Sequence, residues 1–348
     1  MEIAIHHFEN SFSERWIEYC EKNNIHFKLV DCFKNDIIEE LVDCDVLLWN
    51  WYDGDYRVKQ FARELTYSLE KVGKVVFPSA NTCWHYDDKL GQKYLLETIK
   101  APFIKTYVFY DRFSALEWAS STIYPKVFKL SVGSGANNVQ LVYKQNDAKK
   151  LINQAFGKGF GQFDRWTSLK DKFKSLKREK TISKLFSFFK SIIRLFIPTE
   201  LEKLSGKEVG YIYFQEFIPN NKFDIRVITT GNKAFAIKRY CRENDFRASG
   251  SGIIEYGREH IDERCVKIAL DISKKLNAQS LAYDFVFDAE NKPLIIEISY
   301  TYTMKAYDDC EGYWDKDLNW HCEVFNPQVW MIEDIIKSVE NNKSFVAL

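Results

Sequence analysis

Residues 281–299 most restrict how this chain can fold, because they read as a β-hairpin that carries two acids. Two runs rich in Tyr, Phe, Val and Ile flank a polar break at residues 289–292, which Pro293 closes. The length of the break predicts a turn centred between Glu290 and Asn291. The two runs then pair as antiparallel strands.

This turn places Asp284 opposite Glu297, and opposed residues of an antiparallel pair project from the same face. Ser299 shares that face with Glu297, because alternate residues of a strand point to one side. Two neighbouring carboxylates raise each other's cost of ionisation. A divalent cation relieves that cost, and oxygen ligands of this kind suit Mg²⁺. The alternative is a pair of solvated acids on an exposed sheet face, and the hairpin alone leaves both interpretations open.

Length and charge exclude several classes of protein. The 348 residues suffice for two or three domains. The 49 basic and 49 acidic residues cancel, which argues against a general nucleic-acid binder, since such proteins are normally basic. No apolar run approaches the about 20 residues that span a bilayer, and the first residues do not resemble a signal peptide. The cysteines form no C-x-x-C pair and predict free thiols, so we expect a cytoplasmic protein.

Strands alternate with helices near the start of the chain. The strands are predicted at residues 3–7, 26–30, 45–49 and 74–77, and the helices at residues 11–24, 37–42 and 58–72. This order predicts a mostly parallel sheet with helices on its faces. G-x-G-x-x-G is missing, so no dinucleotide is assigned here. His6 and His7 end the first strand, where ligands of open α/β sheets bind, and a structural role is the alternative.

Residues 124–142 predict two strands joined by a loop rich in Gly and Ser. The strands are residues 126–130 and 139–143, and the loop is residues 131–138. Gly and Ser allow the backbone to fold around an anion, and Lys129 offers a point charge suited to phosphate. A flexible hairpin tip is the alternative. The loop is not a Walker motif, because no helix follows and G-K-[ST] is missing.

Residues 155–205 are rich in Lys and Arg and poor in acids. They contain a predicted amphipathic helix whose apolar stripe consists of Ile182, Leu185, Phe186, Phe189, Ile192, Ile193 and Phe196. A basic amphipathic helix lies on an anionic membrane, or it holds a partner or a charged substrate. The alternative is an insertion that packs its apolar stripe on its own domain.

The rest of the chain adds polar residues in a fixed order. A predicted strand over residues 208–218 ends in Gln-Glu-Phe-Ile, and a hairpin over residues 222–240 places Asp224 and Arg226 on one face. The arginines that follow are Arg239, Arg242 and Arg247. The aromatic side chains after the acidic hairpin either line a sugar- or peptide-binding face or pack a C-terminal domain. They are Tyr300, Tyr302, Tyr307, Tyr313 and Trp314.

Taken in order, these stretches resemble the ATP-grasp superfamily, in particular the branch with D-alanine–D-alanine ligase and the glutamate ligases that modify ribosomal proteins. The matching stretches are Asp88-Lys89, PKVFK with the loop through Asn138, QEFIP at 215–219, DIRV at 224–227, FRASGSG at 246–252, and Asp284 with Glu297-Ile298-Ser299. The resemblance implies an α/β and α+β ATP-grasp fold. An N-terminal parallel α/β domain is expected at residues 1–80. Two α+β lobes that clasp ATP are expected at residues 81–213, with the basic insertion at 155–205, and at residues 214–348.

The resemblance also implies a role for each matching residue. The residues expected to bind ATP are Lys89, Lys129, Ser131, Gly133, Ser134, Gly135, Gln215, Glu216, Phe217, Ile218 and Asp224. The lysines hold the phosphates, the loop closes over them, and residues 216–218 hydrogen-bond adenine. The expected ligands of one or two Mg²⁺ ions are Asp284, Glu297 and Ser299. The arginines expected to face the γ-phosphate and the acceptor carboxylate are Arg226, Arg239 and Arg247.

The implied activity is that of an ATP-dependent carboxylate–amine ligase that forms an amide or peptide bond through an acyl phosphate. Small-molecule carboxylates and amines are the expected partners, with a glycan or peptide precursor as one candidate and no nucleic acid. The alternatives are a small-molecule kinase of the same fold and a non-catalytic nucleotide-binding protein. Ser299 stands where the family usually has Asn. This difference concerns the binding of a second Mg²⁺ ion. Residues 181–197 are the expected contact if the protein sits at the inner face of the membrane.

Overall fold

The computed structural model describes residues 1–52, 55, 57–133, 138–162, 169, 173, 176, 181–197, 206–242, 246–248 and 251–346. The chain forms two compact units. The first unit joins Met1–Tyr86 with Asn221–Leu348, and the second is Asp87–Asn220. The three-part division predicted from the sequence, with limits at residues 80 and 213, stays a prediction.

Strands and short helices alternate through much of the described chain. Its strands are β1 (Ile3–His6), β2 (Phe27–Val30), β3 (Val46–Leu48), β4 (Val75–Phe77), β5 (Thr106–Phe109), β6 (Lys126–Lys129), β7 (Gln140–Val142), β8 (Phe160–Gly161), β9 (Lys207–Glu208), β10 (Ile212–Glu216), β11 (Phe223–Thr230), β12 (Lys233–Tyr240), β13 (Ile254–Glu255), β14 (Ser280–Phe287), β15 (Pro293–Ser299), β16 (Tyr313–Trp314) and β17 (Trp320–His321). Its α-helices are α1 (Ser13–Lys22), α2 (Ile37–Glu40), α3 (Val58–Lys71), α4 (Ala80–Cys83), α5 (Lys89–Thr98), α6 (Arg112–Ser121), α7 (Gln145–Ala155), α8 (Ile182–Phe196), α9 (Glu263–Leu276) and α10 (Pro327–Val346). Short 3₁₀ turns occur at Arg258–His260 and Met304–Ala306.

In the first unit, β1 to β4 form the predicted parallel sheet, in the order β2-β1-β3-β4. Ile3, Ala4 and Ile5 are fully buried. A parallel strand is covered on both faces, which explains why β1 lacks polar alternation. Helix α1 packs Trp16 against Phe77 of β4, with ring centroids 5.3 Å apart.

The first unit also contains an antiparallel sheet in the order β15-β14-β11-β12-β16-β17, with β13 paired to β12. Helix α9 packs against β11, β12 and β14. The Asp262 side chain caps the start of this helix by accepting the Arg264 N–H. Asn277 ends the helix in the left-handed conformation, at φ 50°, which Asn tolerates and which turns the chain toward β14.

The hairpin of β14 and β15 confirms that Asp284 lies opposite Glu297. Near the turn, however, the pairs Phe287–Pro293 and Phe285–Ile295 are centred on Glu290 itself. Without a correction, that register would carry Glu297 to the opposite face, because a one-residue slip reverses every side chain.

A β-bulge supplies the correction. Ile296 has no partner, since the pairing passes from Phe285–Ile295 directly to Asp284–Glu297. One extra residue in a strand shifts the register and bends the strand locally. The bulge therefore brings Asp284 and Glu297 to the same face.

The second unit contains an antiparallel sheet in the order β5-β10-β6-β7. Helices α6 and α7 cover one face through a core that includes Phe128 and Phe214. Since opposed residues share a face, Lys126 and Glu216 lie on this covered face, whereas Lys129 lies on the other. The strand predicted over residues 208–218 is divided into β9 and β10.

Helix α8 confirms the predicted amphipathic helix in the basic segment. Its apolar stripe is exposed at Phe186, Phe189 and Ile193, so packing of that stripe on its own domain is wrong for these residues. Ser191, on the other side of the helix, is buried. Within the described residues, no helix is long and apolar enough to cross a membrane.

The core of the second unit gives a first prediction. Phe214→Ala removes a fully buried ring and should lower the free energy of unfolding by about 3–5 kcal/mol, because a cavity replaces it. Phe113→Ala is the control, since this ring is 77% exposed, and should change it by less than about 0.5 kcal/mol. Urea unfolding of both variants measures the difference, and equal losses would contradict the assignment of the core.

Candidate functional site

Two acids and two arginines alternate across three adjacent strands of the first unit. Asp224 and Arg226 lie on β11, Arg239 on β12 and Asp284 on β14. The strand register places Asp224 opposite Arg239 and Arg226 opposite Asp284. Long-range pairing of three strands thus assembles groups that are far apart in the sequence.

The hydrogen bonds of this cluster are bidentate. Arg226 donates from Nε and Nη2 to the two carboxylate oxygens of Asp284, at 2.5 and 2.6 Å. Arg239 donates in the same way to Asp224, at 2.7 Å for each bond. The Nη2 of Arg239 also lies 3.0 Å from Oδ1 of Asp284. Planar guanidinium forks fix both carboxylates in orientation as well as position.

Burial and the neighbouring arginines shift the pKa values of these acids in opposite directions. Both Asp224 and Asp284 are 4% exposed. Burial raises the pKa of Asp284, but the charges of Arg226 and Arg239 outweigh it and hold the pKa well below the ordinary value of 3.8. For Asp224, burial dominates and the neighbouring Asp284 charge adds to it, so its pKa is raised despite Arg239. Asp284 is therefore the acid held firmly in its ionised form.

The arrangement fits a magnesium ion that arrives with phosphates. Asp284 and Glu297 face each other across β14 and β15. Two arginine groups contact Oδ1 of Asp284, whereas Oδ2 accepts one hydrogen bond from Arg226 and keeps a second lone pair. Mg²⁺ is commonly held by one or two carboxylates together with substrate phosphates and water. The described part of the chain has no group of three or more His, Cys, Asp or Glu side chains that could hold a metal ion.

Ser299 lies opposite Ala282, on the face of Asp284 and Glu297. Its hydroxyl donates to the Thr301 carbonyl at 2.9 Å, so only its lone pairs remain for a cation. The metal-ligand roles of Asp284, Glu297 and Ser299 stay predictions. Arg247 is half-buried after β12, and its role also stays a prediction.

In the second unit, the start of α5 is tied to the loop after β6. The Lys89 N–H donates to the Ser131 carbonyl at 2.9 Å, and the Ser131 hydroxyl donates to Asp88 at 2.8 Å. The Lys89 ammonium donates to the Gly133 carbonyl at 2.8 Å, and the Gly133 N–H donates to Asp87 at 2.7 Å. Gly133 has φ 110°, which favours glycine. The structure thus brings together Lys89, Ser131 and Gly133.

For the other residues predicted to bind ATP, the structure gives their position along the strands and their burial. Lys129 is buried at the end of β6, two residues before Ser131. Ser134 and Gly135 lie outside the described residues. Phe217 and Ile218 follow the end of β10 and are half-buried.

The carboxylate of Glu216 accepts hydrogen bonds from two side chains of the second unit. It accepts from the Lys126 ammonium at 2.9 and 2.8 Å and from the Tyr107 hydroxyl at 2.7 Å. Burial, together with this bond to Glu216, raises the pKa of Tyr107 to about 12. Gln215 points to the opposite face and donates to the Thr106 hydroxyl at 3.2 Å. The Glu216 N–H is also used within the protein, since it donates to the Lys105 carbonyl at 2.9 Å. A contact of residues 216–218 with adenine stays a prediction.

Sequence reasoning missed Lys126 as part of this site. It lies directly opposite Glu216 in the pairing of β6 with β10, and no local spacing reveals a pair so far apart in the chain. The only signal was a lysine at the start of an apolar strand, where a buried charge requires a partner.

His6 has the structural role that was the alternative. Its Nδ1 accepts the Cys32 N–H at 3.1 Å, and its ring packs against Trp49 with centroids 5.2 Å apart. Burial lowers the pKa of His6 in spite of nearby Asp31. His7 is exposed.

The carboxyl end of the parallel sheet meets the end of β15. Asn50, just after β3, donates to the Thr301 hydroxyl at 3.0 Å and accepts the Phe12 N–H at 3.2 Å. The aromatic residues of this region pack inward, as one of the two sequence interpretations has it. The buried side chains are Tyr300, Tyr302, Tyr307, Tyr313 and Trp314. They do not form an exposed stacking face.

A parallel α/β sheet followed by two antiparallel sheets, with lysines on one and paired acids on the other, defines the ATP-grasp fold. Residues 198–312 match the family described as the RimK-like ATP-grasp domain. The fold and the resemblance stated from the motifs are both confirmed. No curated protein matches the chain by sequence.

The similarity to solved structures of the same fold extends over nearly the whole chain. A RimK domain protein ATP-grasp from Sphaerobacter thermophilus DSM 20745 is 14% identical, with a TM-score of 0.54, and covers 96% of this chain and 99% of its own. D-alanine–D-alanine ligase from Bacillus anthracis is 15% identical, with a TM-score of 0.55, and covers 98% and 99%. The ATP-grasp ligase PsnB with a minimal precursor is 11% identical, with a TM-score of 0.54, and covers 97% and 98%.

The acid–arginine cluster predicts a large cost for losing Asp284. Asp284→Asn leaves the buried Arg239 and the half-buried Arg226 with one acid, and should lower the free energy of unfolding by about 3–5 kcal/mol. The pKa of Asp284 in the folded protein is depressed. Its contribution to the free energy of unfolding is therefore fully present above pH 3.8, the ordinary pKa, and declines as the pH falls below that value. The difference in unfolding free energy between wild type and variant should therefore shrink in acid.

Chemical denaturation at several pH values measures this gap. Glu290→Gln is the control, because it removes the same charge at the exposed tip of the same hairpin, and it should change the unfolding free energy by less than about 0.5 kcal/mol. A gap that widens in acid would contradict the ion pairing of Asp284.

The Lys126–Glu216 pair predicts an unequal response to removing either partner. The Lys126 side chain is 4% exposed and the Glu216 side chain 29%. Glu216→Gln leaves a buried ammonium without its anion and should lower the free energy of unfolding by about 3 kcal/mol. Lys126→Met leaves a carboxylate that still accepts hydrogen bonds from water and Tyr107, and should lower the free energy of unfolding by less than about 1.5 kcal/mol. Urea unfolding of the two variants measures both losses, and a larger loss for Lys126→Met would contradict the unequal burial of the two partners.

Proposed function

We propose that this protein is an ATP-dependent carboxylate–amine ligase that acts through an acyl phosphate. The observation that carries the proposal is the Asp284 carboxylate, ionised and oriented by two arginines, directly opposite Glu297. Phosphoryl transfer requires positioning and charge neutralisation more than covalent help from the protein. An ATP-grasp chain with this cluster offers both.

The proposed roles follow the charges of the side chains. Lys89 and Lys129 hold ATP phosphates as point charges, and the backbone after Gln215 binds adenine. Asp284 and Glu297 hold magnesium, which neutralises phosphate charge when bound. The number of ions stays open to experiment, because Ser299 offers only a hydroxyl.

Arg226 and Arg239 are proposed to stabilise the transferred phosphoryl group and the acceptor carboxylate. Arg226 uses two of its N–H groups on Asp284, and a guanidinium has five. The acids thus aim the arginine forks while donors remain for oxyanions. Pre-aimed donors cost no reorganisation when negative charge develops, which is why such groups contribute strongly to rate.

The proposed reaction proceeds in two balanced steps. A carboxylate oxygen of the substrate attacks the γ-phosphorus, the bond from that phosphorus to the β,γ-bridging oxygen breaks, and ADP leaves. The amine nitrogen then attacks the acyl carbon and loses a proton, and the carbon–oxygen bond to phosphate breaks. The products are an amide, ADP and phosphate.

The substrate class is proposed from the fold relatives and the first unit. The structures named above include a D-alanine–D-alanine ligase and the ligase PsnB with a minimal precursor. We propose a small carboxylate and an amine, or a peptide that bears them. They would bind beside Asn50 and Thr301, where the parallel sheet meets the end of β15. The cysteines are free thiols, whether buried or exposed, and free thiols suit the reducing cytoplasm, where we place the reaction.

The test is ADP release with ATP, Mg²⁺ and pools of carboxylates and amines. We expect release that requires both pools, with an amide product by mass spectrometry. Glu297→Gln should lower turnover at least about 100-fold, because a charge that acts in phosphoryl transfer is lost. Glu290→Gln is the matched control and should retain turnover.

The products separate the proposal from its rivals. A phosphorylated product formed without amine would identify a kinase. ATP binding without turnover in every pool would favour a non-catalytic nucleotide-binding protein.

A further inference from the structure

Helix α8 presents an apolar face to solvent. Five side chains spaced three or four residues apart, or adjacent, form one stripe along it, which we call the α8 stripe. Their exposed fractions are 42% for Leu185, 71% for Phe186, 54% for Phe189, 58% for Ile193 and 62% for Ile197. Single exposed apolar residues are ordinary, but a contiguous stripe with two phenyl rings indicates an interaction surface.

The opposite side of the helix faces the protein. Ser191 is buried, and Phe188 packs against Phe173 with ring centroids 5.5 Å apart. The helix is therefore anchored to its own unit through its less apolar side. Among the described residues, none covers the more apolar side, so a partner that buries it would gain the free energy of removing apolar surface from water.

The charges of the helix indicate what that partner is. The sequence of α8 contains Lys184, Lys190 and Arg194 and no acidic residue. Lys190 is exposed, and Lys190 and Arg194 follow the stripe residues Phe189 and Ile193 directly. An exposed apolar stripe on a helix whose charged residues are all cations matches a surface with an apolar interior and anionic groups above it.

We propose that the α8 stripe lies in the headgroup region of an anionic phospholipid bilayer and holds the protein at its surface. A helix of 15 residues is about 22 Å long, which is too short to span the hydrocarbon core. It therefore lies along the surface, with the phenyl rings in the acyl boundary and the cations at the phosphates. A second copy of the chain fits less well, because pairing through the stripe would bring two sets of cations together.

This inference does not depend on the proposed activity. Its test is sedimentation of the full chain with vesicles of equal parts phosphatidylcholine and phosphatidylglycerol, and with pure phosphatidylcholine. We expect binding to the anionic vesicles that weakens as salt is raised, since surface charge is screened. The variant F186S/F189S/I193S should lower the vesicle partition coefficient at least about 30-fold, because three exposed apolar side chains lose their burial.

Phe113→Ser is the matched control, because it removes an exposed phenyl ring from α6 in the same unit, and it should bind vesicles as wild type does. Circular dichroism and thermal unfolding check that the triple variant is folded. Equal partitioning of the triple variant and wild type would overturn the proposal, as would no binding to anionic vesicles. Self-association that the triple variant abolishes, seen by light scattering without vesicles, would assign the stripe to a second copy instead.

Discussion

The pairing of Asp284 with Arg226 and Arg239 is the interaction on which the first unit's site depends. Ions buried in a protein interior are costly unless each finds a partner. Here three strands supply acids and bases in alternation, so every charge of the cluster has an opposite charge beside it. The result is an ionised carboxylate and two arginines whose directions are fixed before any ligand arrives.

The second unit also pairs a buried charge with an opposite charge, across two strands instead of three. Its sheet has one face covered by helices and another that carries Lys129 and Gln215. Lys126 and Glu216 neutralise each other on the covered face, so that strand end is held without using the side chains of the opposite face. Strand alternation thus keeps this ion pair on the face opposite to Lys129 and Gln215.

Much of this architecture was predictable from local pattern. Continuous apolar strands alternating with helices predicted the parallel sheet, and the amphipathic period predicted α8. The ordered lysines, arginines and acids resembled ATP-grasp proteins strongly enough to imply the fold. Lys126 escaped notice because its partner is distant in the chain. The outward direction of the α8 stripe was equally undecided, since periodicity identifies an apolar face but not what covers it.

The sequence by itself determined the elements, their order and the residue types at the site, because these follow from periodicity, turn chemistry and charge. Tertiary structure alone decided which side chains meet. The pairing of Asp284 with Glu297 illustrates the division. The hairpin was readable, but its turn is centred on Glu290 instead of between Glu290 and Asn291, which shifts each pairing partner by one residue. Only the bulge at Ile296 returns Glu297 to the face of Asp284. A side chain's face depends on the parity of the register, which long-range pairing sets and local sequence does not.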